Sequence, residues 1–459
     1  MHDTLSHFNT LVQELIEDEV VNPVAQHLPS DELFDTLDLD LSEDGVDNQT
    51  FRALFKDLVF RTTRTATKGF FNQLFGGRNE KAVLGDLMAT VLNNSMYTYK
   101  AAGPMIGVEK VIVEKLCNYV GWDRESGGTI ATGGSLANFM GLLMARDSAG
   151  TKIQTQGVRA KMTVYTSAES HYSVSKNASF SGIGRENVRK IKADDLGRMR
   201  VDLLEEAIKE DVENGFTPVL VNATAGTTVL GAFDPIDAIS KICKQHDVWL
   251  HVDGAYCGSV LLSKTHKHLI NGIEHVDSFS FNAHKMLNVP LTCSILLVKN
   301  ASHLHQSFSN EAEYLYQTDH DEFNLGKTSL QCGKRNDALK FWTLWKQVGT
   351  NGLEKQVDKQ FELADTAFRY VSNNPDYTVY SFKNSISICF NYKSIPARQL
   401  CTLLYEHSTL LVGYGSFRDE EFIRLVTMNP QHNTDDILNF FRTLEAFVEE
   451  HASLFEASV

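Results

Sequence analysis

The sequence predicts an α/β protein with a large, mostly parallel sheet and a smaller C-terminal α+β region. From about residue 160 to residue 253, short apolar runs of strand length alternate with segments whose apolar residues recur at helical spacing. That alternation is typical of right-handed β-helix-β crossovers, which build parallel sheets. Beyond residue 345, strand candidates at 377–381, 385–391 and 421–428 lie between helical segments.

These patterns divide the 459 residues into three predicted parts. They are an N-terminal helical segment at 1–85, a large domain at 86–345 and a small C-terminal domain at 346–459. In the first part, helical spacing of apolar residues precedes an acidic stretch at 30–47 that we interpret as a solvated loop. Such a segment cannot close a core of its own, so we expect it to pack on the rest of the chain or on a partner subunit.

Composition excludes several classes of protein. The 43 basic and 58 acidic residues give a net charge of −15 without a dense Lys/Arg run, which argues against a nucleic-acid partner. The seven cysteines are scattered and form no C-x-x-C, which disfavours a disulfide framework and a zinc site and favours a reducing cytoplasm. No segment has the length and apolarity of a membrane span or a signal peptide. We therefore predict a cytoplasmic protein that binds neither nucleic acid nor membrane.

A glycine-rich turn opens one of the helices. Gly133, Gly134 and Ser135 follow a short predicted strand, and apolar residues from Leu136 to Met144 then recur at helical spacing. Bare amides at a helix start attract anions, so the turn is a candidate phosphate site to which Ser135 could add its hydroxyl. Helix capping without a ligand is the more common role of such a turn. The turn lacks the lysine of a nucleotide P-loop.

The clearest chemical signal is an acid and an amine at the ends of two predicted strands. The apolar run 249–252 ends at Asp253, and the alternating run 278–282 is followed by His284 and Lys285. Ligands of open α/β sheets sit outside the carboxyl ends of the strands. Pyridoxal 5'-phosphate fits this pair, because its aldehyde forms a Schiff base with a lysine and its ring nitrogen needs a carboxylate partner. Either residue alone has a simpler interpretation, as a capping aspartate or a solvated lysine.

The polar stretch 303–328 contains Tyr314 and Tyr316 and predicts a long loop. Loops of that length are usually functional lids or disordered. His171 and Thr228 each follow a predicted strand end, where a histidine or threonine is usually an ordinary loop residue.

Five motifs of the chain resemble those of a known enzyme family. The motifs NATAGTTVLGAFDP, WLHVDGAY, NAHKM, QCGK and FIRLVTMNP occur in this order and resemble those of the group II pyridoxal-phosphate decarboxylases. Within that group they resemble the branch of glutamate and cysteine sulfinate decarboxylases, over roughly residues 65 to 445. The resemblance implies a type I aminotransferase-like fold and a homodimer whose active sites are shared between subunits.

The resemblance also implies roles for individual residues. Lys285 would bind the cofactor covalently, Asp253 would pair with its ring nitrogen, His171 and Ala255 would cover the two ring faces, and Thr228 would lie near the ring. The phosphate would be held by Gly134, Ser135, Asn282 and His284.

Two further residues are implied to act on the substrate. Tyr314 matches a mobile-loop tyrosine that protonates the substrate carbon, in a loop that closes over the partner subunit's site. Arg424 matches an arginine that anchors a substrate carboxylate.

The substrate class rests on the residues of the predicted pocket wall. Phe75, Ser95 and Tyr97, beside Gln73, resemble the cysteine sulfinate pattern more than the glutamate pattern, which predicts a shorter acidic substrate such as aspartate or cysteine sulfinate. The alternatives are glutamate decarboxylation to γ-aminobutyrate, an aminotransferase or oxidase on the same cofactor, and a catalytically silent homologue.

The chain departs from the family pattern at three places. Residues 100–104 replace a usual Glu-Ile-Ala-Pro and include Lys100, Ala283 stands where a proline is usual, and Gly254 replaces an alanine. These changes leave the cofactor residues intact, but Lys100 could either attract an additional carboxylate or face solvent.

Overall fold

The computed structural model describes residues 2–150, 152–309, 316 and 320–455. Tyr314, the implied proton donor, lies outside the described residues. The chain forms two compact units. The sheet unit comprises Arg78–Glu362 and Phe382–Ile386, and the terminal unit comprises Met1–Gly77, Leu363–Ser381 and Ser387–Val459. The domain limits at residues 85 and 345 stay predictions of the sequence.

The strands of the sheet unit form one seven-stranded sheet. They are β1 (Gly127–Ala131), β2 (Met162–Ser167), β3 (Val188–Ile191), β4 (Thr217–Thr224), β5 (Trp249–Gly254), β6 (Ser278–Asn282) and β7 (Ser294–Val298). Their order in space is β1-β7-β6-β5-β4-β2-β3, and β7 runs in the direction opposite to the other six, because its pairings with β1 and β6 are antiparallel and the remaining pairings are parallel. The prediction of a mostly parallel sheet is therefore confirmed.

Burial explains why these segments form central strands. All residues of β2, β6 and β7 are buried, as expected for a sheet covered by helices on both faces. The register pairs Val252 of β5 with Ala223 of β4 and Phe279 of β6. These pairings bring the carboxyl ends of β4, β5 and β6 to one edge of the sheet.

The helices fall largely where apolar spacing predicts them. In chain order they are α1 (His2–Val21), α2 (Leu33–Thr36), α3 (Asn48–Arg61), α4 (Glu80–Leu92), α5 (Tyr99–Ala102), α6 (Met105–Val120), α7 (Gly134–Ser148), α8 (Ile153–Gln156), α9 (Ser173–Phe180), α10 (Val201–Glu213), α11 (Ile236–His246), α12 (Ser302–Phe308), α13 (Ala338–Ser372), α14 (Ala397–Glu406), α15 (Thr434–Glu450) and α16 (Ala452–Phe455). Gly349 interrupts α13 with a non-helical φ of 67°.

Helix α7 is the central helix of the sheet unit. Met140 and Met144 pack on Leu296 and Val298 of β7, and Leu142 packs in a second cluster on the other side of the helix. Because this helix is anchored in the core on two sides, its first turn is held rigidly against the edge of the sheet.

The terminal unit contains a four-stranded antiparallel sheet. Its strands are β8 (Tyr377–Val379), β9 (Ser387–Tyr392), β10 (Gly413–Phe417) and β11 (Glu420–Val426), in the order β10-β11-β9-β8. Helix α15 covers it with Phe440 and Phe441, and the Phe441 ring lies 5.6 Å from that of Phe390. This unit contains the α+β region that the sequence predicts.

Several elements differ from the sequence prediction. Part of the predicted 303–328 loop is helical, in α12 and in 3-10 turns at Asp321–Phe323 and Leu325–Thr328. Strand β10 is absent from the sequence prediction, because this edge strand carries glycines at 413 and 415 and lacks an apolar alternation. Within the described part of the chain, no helix combines the length and apolarity needed to cross a membrane.

Candidate active site

Asp253 lies near the carboxyl end of β5 and is only 4% exposed. Its Oδ1 accepts the Ala255 N–H at 2.9 Å, and its Oδ2 accepts a bond from Asn138 Nδ2 at 2.7 Å. Register places it between Thr224 of β4 and Ser280 of β6. A buried carboxylate that accepts from two donors is held in one orientation.

Lys285 enters from the turn that follows β6. Its N–H donates to Asn282 O at 3.1 Å, and its own carbonyl accepts the Asn288 N–H at 3.0 Å, which defines the turn. Since β5 and β6 are adjacent and parallel, this turn and Asp253 meet at the same edge of the sheet. The predicted acid and amine are therefore delivered to neighbouring strand ends.

His171, which follows β2, shares the electrostatic environment of both groups. Burial lowers the pKa of His171, the Asp253 carboxylate acts to raise it, and the Lys285 ammonium acts to lower it further. Its Nδ1 accepts the Ser173 N–H at 3.2 Å, so a neutral ring carries its proton on Nε2. The structure thus brings together the three cofactor residues that the sequence analysis placed on separate strands.

The glycine-rich turn at the start of α7 lies at the same edge of the sheet. A Cβ on Gly134 would lie 3.0 Å from Asn282 Nδ2 and 3.1 Å from the Ala255 Cβ, so these three residues are immediate neighbours. The Leu136 N–H already bonds to Gly133 O, so the amides of Gly134 and Ser135 precede the intrahelical ladder of α7. These two amides and the positive end of the helix favour an anion.

Asn282 and His284 flank that helix start with defined hydrogen-bonding roles. Asn282 Oδ1 accepts the Ser294 hydroxyl at 2.6 Å, which directs the amide group. His284 Nδ1 lies 2.9 Å from Cys293 N and 3.0 Å from Cys293 O, which fixes the ring in place, and burial lowers the pKa of His284 to about 4. The ring is therefore neutral near pH 7.

Thr224 is a site residue that the sequence analysis did not single out. It pairs directly with Asp253, is 4% exposed, and its Oγ1 has no hydrogen-bond partner among the described residues. Thr228, the residue implied by the family resemblance, is half-buried in the turn after β4, where Thr227 Oγ1 accepts the Ala232 N–H at 3.0 Å. Period-two spacing within β4 could have found Thr224 only if the register with β5 were known.

These residues fit pyridoxal phosphate. The edge offers an amine for the aldehyde, a buried carboxylate for the ring nitrogen and a glycine-lined helix start for the phosphate. The buried Thr224 hydroxyl adds a polar atom for which the protein supplies no partner within the described residues. The donor set is therefore that of a cofactor site with a charged phosphate end and a charged ring nitrogen.

The implied wall residues Ser95 and Tyr97 also lie in the sheet unit. Ser95 Oγ donates to Cys332 O at 3.3 Å, and the Tyr97 hydroxyl accepts a bond of 2.8 Å from Tyr316. The two tyrosine rings stack at 5.6 Å, and a Cβ on Gly326 would lie 2.3 Å from the Tyr97 ring. Tyr97 is thus fixed by contacts on its ring and on its hydroxyl.

Gln73, Phe75 and Arg424 belong to the terminal unit. Arg424 of β11 donates from Nη2 to Asn72 O at 2.9 Å, so its guanidinium is tied to the segment that carries Gln73 and Phe75. Gly413 pairs with Arg424, and a Cβ there would lie 2.4 Å from Asn72 Oδ1. The structure therefore brings these three residues together in one region of the terminal unit.

Comparison with known proteins agrees with the fold and the cofactor site. A family model described as the pyridoxal-dependent decarboxylase conserved domain matches residues 32–393. The chain therefore belongs to the pyridoxal-dependent decarboxylase family, and it is a carboxy-lyase that uses pyridoxal phosphate.

The chain is also similar to individual enzymes of this family. The chain is 36% identical over 424 residues to the cysteine sulfinic acid decarboxylase of Mus musculus, covering 87% of this chain and 86% of that protein. It is 34% identical over 443 residues to the acidic amino acid decarboxylase GADL1 of Homo sapiens, covering 91% and 85%. The crystal structure of mouse CSAD matches with a TM-score of 0.91 at 32% identity, over 97% of this chain and 98% of that chain. The predicted fold class is thereby confirmed.

Proposed function

We propose that this enzyme removes the α-carboxyl group of an acidic L-amino acid, preferring aspartate or cysteine sulfinate, and releases carbon dioxide and the corresponding amine. The observation that carries the proposal is the delivery of Asp253 and Lys285 to adjacent strand ends beside the glycine-rich start of α7. The relatives named as cysteine sulfinic acid and acidic amino acid decarboxylases support the acidic substrate.

Some of the proposed site residues bind pyridoxal phosphate, and others orient its ring. Pyridoxal phosphate supplies an electron-withdrawing ring, to which the electrons of the broken carbon–carboxylate bond move. Lys285 would hold the cofactor through its amine, and Asp253 would pair with its ring nitrogen. His171 and Ala255 would contact the two faces of the ring, and Thr228 would contact it as well.

The phosphate end is held by neutral donors and by the helix. The backbone amides and hydroxyl at Gly134 and Ser135, the Asn282 amide and the neutral His284 ring together provide polar contacts without a competing positive charge. Because α7 is anchored in the core, the phosphate fixes the cofactor relative to Asp253 and Lys285.

Substrate recognition depends on a positive charge and a short pocket. Arg424 binds a substrate carboxylate, and its bond to Asn72 O fixes the direction of the guanidinium. We assign Gln73, Phe75, Ser95 and Tyr97 to the pocket wall. The bulky Phe75 favours a short acid, and the Tyr97 hydroxyl can donate to its sulfinate or β-carboxylate.

Protonation of the substrate carbon is assigned to Tyr314. A phenol placed over that carbon favours simple reprotonation, and a closed lid excludes water and side reactions. In this proposal the loop closes over the site of the partner subunit in a homodimer.

The assembly and location are part of the same proposal. Leu84, Leu87, Met88 and Val91 form an exposed apolar stripe along α4, which supports a self-associating surface. The seven cysteines, each within the described residues, form no disulfide with one another, which supports a reducing cytoplasm.

A substrate panel tests the proposed function. Carbon dioxide release would be measured with L-aspartate, L-cysteine sulfinate, L-glutamate and neutral amino acids, with pyridoxal phosphate present. We expect kcat/KM for one of the two shorter acids to exceed that for glutamate by about tenfold or more, as the misfit of one methylene allows. A clear glutamate preference would move the assignment to γ-aminobutyrate production.

Two variants measured on the same substrates test whether Arg424 binds the substrate carboxylate. Arg424→Gln removes the guanidinium and should raise KM for every acidic substrate. Lys393→Gln removes an exposed positive charge from the same unit and should leave KM unchanged. Products other than carbon dioxide and an amine would instead point to aminotransfer or oxidation.

A further inference from the structure

A row of hydrogen-bonded side chains runs through the sheet unit from Trp249 to Asp253. Trp249 Nε1 lies 2.9 Å from Ser278 Oγ, and Ser278 Oγ lies 2.8 Å from His251 Nδ1. His251 Nε2 lies 3.1 Å from Asn138 Oδ1, and Asn138 Nδ2 lies 2.7 Å from Asp253 Oδ2. The row therefore links both ends of β5 through a residue of α7.

The carboxylate at the end of the row sets the direction of its bonds. Asp253 Oδ2 accepts from Asn138 Nδ2, so Asn138 turns its acceptor oxygen towards His251 Nε2, which must donate. In a neutral ring His251 Nδ1 then accepts the Ser278 hydroxyl, and Ser278 Oγ accepts the Trp249 indole N–H. Burial lowers the pKa of His251 to about 4, so the neutral ring carries one proton, on Nε2, and donates it to Asn138 Oδ1. The Asn138 amide then donates to the Asp253 carboxylate.

A second donor locks the same orientation. Ser280 Oγ donates to Asn138 Oδ1 at 2.7 Å, so the amide oxygen accepts from both Ser280 and His251. A flipped amide would place its oxygen against the carboxylate and its N–H groups against two donors. The network therefore permits one orientation of Asn138.

Because the row is buried, changing the orientation of the Asn138 amide costs free energy. His251, Ser278 and Ser280 are 0% exposed and Asn138 is 4% exposed. Water cannot replace a missing donor at such positions, and aligned bonds reinforce one another in a low-dielectric interior. Gly141 makes room for the row, because a Cβ there would lie 2.8 Å from His251 Nδ1.

We propose that Asn138, oriented by His251, is the positioning residue that holds the Asp253 side chain directed at the cofactor's ring nitrogen. This inference rests on the proposed role of Asp253. Gly134 and Asn138 are four residues apart on α7, so one helix fixes the phosphate end and the ring-nitrogen partner together.

Cofactor binding by full-length variants tests the proposal. The dissociation constant for pyridoxal phosphate and the absorption spectrum of the bound cofactor would be measured after a thermal melt has verified folding. Asn138→Leu removes the donor and should weaken binding by about 10- to 100-fold with a shifted absorption maximum. Asn138→Asp places a second carboxylate oxygen against Asp253 Oδ2 and should weaken binding at least as much.

His251 variants separate positioning from packing. His251→Leu removes both ring nitrogens and should reproduce the loss and the spectral shift, whereas His251→Gln can donate from Nε2 to Asn138 and should restore both. Asn222→Leu is the matched control, since Asn222 is a 1% exposed amide on β4 that donates to Thr166 and should leave the affinity within about threefold. If the Asn138 variants do not fold, the comparison of His251→Leu with His251→Gln still tests the positioning role of Asn138.

Asp253→Asn distinguishes failure of the row from failure of the proposed site. If it weakens cofactor binding while the Asn138 and His251 variants behave like Asn222→Leu, the positioning role is wrong and the site stands. If Asp253→Asn leaves affinity and spectrum unchanged, the proposed role of Asp253 is wrong, and the inference falls with it. Equal losses in His251→Leu and His251→Gln would also overturn the positioning role.

Discussion

Single residues of the site show where the protein leaves a polar atom for a ligand. Thr224 Oγ1 is buried without a partner among the described residues, whereas Thr166 Oγ1, on the neighbouring strand, donates to Asn222 O at 3.0 Å. A buried hydroxyl without a partner costs stability in the absence of a ligand.

We therefore predict opposite effects for two matched substitutions. Thr224→Val should leave the melting temperature of the cofactor-free protein unchanged or higher, and should weaken pyridoxal phosphate binding by about five- to tenfold. Thr166→Val should lower the stability by about 1 kcal/mol without changing the cofactor affinity. Melting curves and cofactor titrations check both, and unchanged affinity in Thr224→Val would contradict a contact with the cofactor.

Two buried histidines predict the pH dependence of stability. Burial lowers the pKa of His251 and of His284 from 6.5 to about 4, while Asp253 acts in the opposite direction on His251. Above pH 6.5 each ring is neutral in both states. Below it, the unfolded chain takes up protons that the folded protein does not, so stability falls as the pH drops from 6.5 towards 4.

The His251→Gln variant measures one part of that effect. Each group accounts for a loss of about 1 kcal/mol per pH unit within this window, so the stability of the variant should fall less steeply than that of the wild type. Urea unfolding at pH 7.5, 6 and 5 gives the two slopes. Equal slopes would mean that His251 titrates normally in the folded protein.

At the scale of elements, α4 has two contrasting faces. Ala82, Gly85 and Ala89 are buried, while the stripe Leu84, Leu87, Met88 and Val91 is 53%, 39%, 43% and 58% exposed. An apolar stripe of this spacing on a helix usually packs against another surface.

A double substitution tests the stripe as a homodimer contact. The wild type should have twice the chain mass of 51.4 kDa in light scattering, and Leu87→Glu with Val91→Glu should shift the protein to a single chain. Val212→Glu on α10 is the control, because Val212 is also an exposed apolar residue at 55%. A dimer that survives the double substitution would remove α4 from the interface.

At the scale of the whole molecule, local pattern predicted the elements and could not predict the contacts between them. The apolar runs identify β2, β4 and β5 because a strand covered on both faces leaves a continuous apolar signal. The run at 413–417 carries two glycines at a sheet edge, so its pairing depends on β11 and not on its own residues.

Some residues of the candidate site could be predicted from the sequence, and others could not. Asp253 and Lys285 can be found from the sequence because each follows a strand, and strand ends meet at one edge. Asn138 lies 115 residues from Asp253, and its role depends on how α7 packs on the sheet. Its only local signal is a polar residue on a helix face otherwise formed by Ala137, Met140, Gly141 and Met144.

The proposed cofactor site depends most on one covalent bond, the attachment of pyridoxal phosphate to Lys285. The protein incubated with pyridoxal phosphate would be reduced with borohydride, digested and analysed by mass spectrometry, with Lys285→Ala as the control. We predict that the pyridoxyl label lies on Lys285 and is absent from the variant. A label on any other lysine of the wild type would contradict the proposed site.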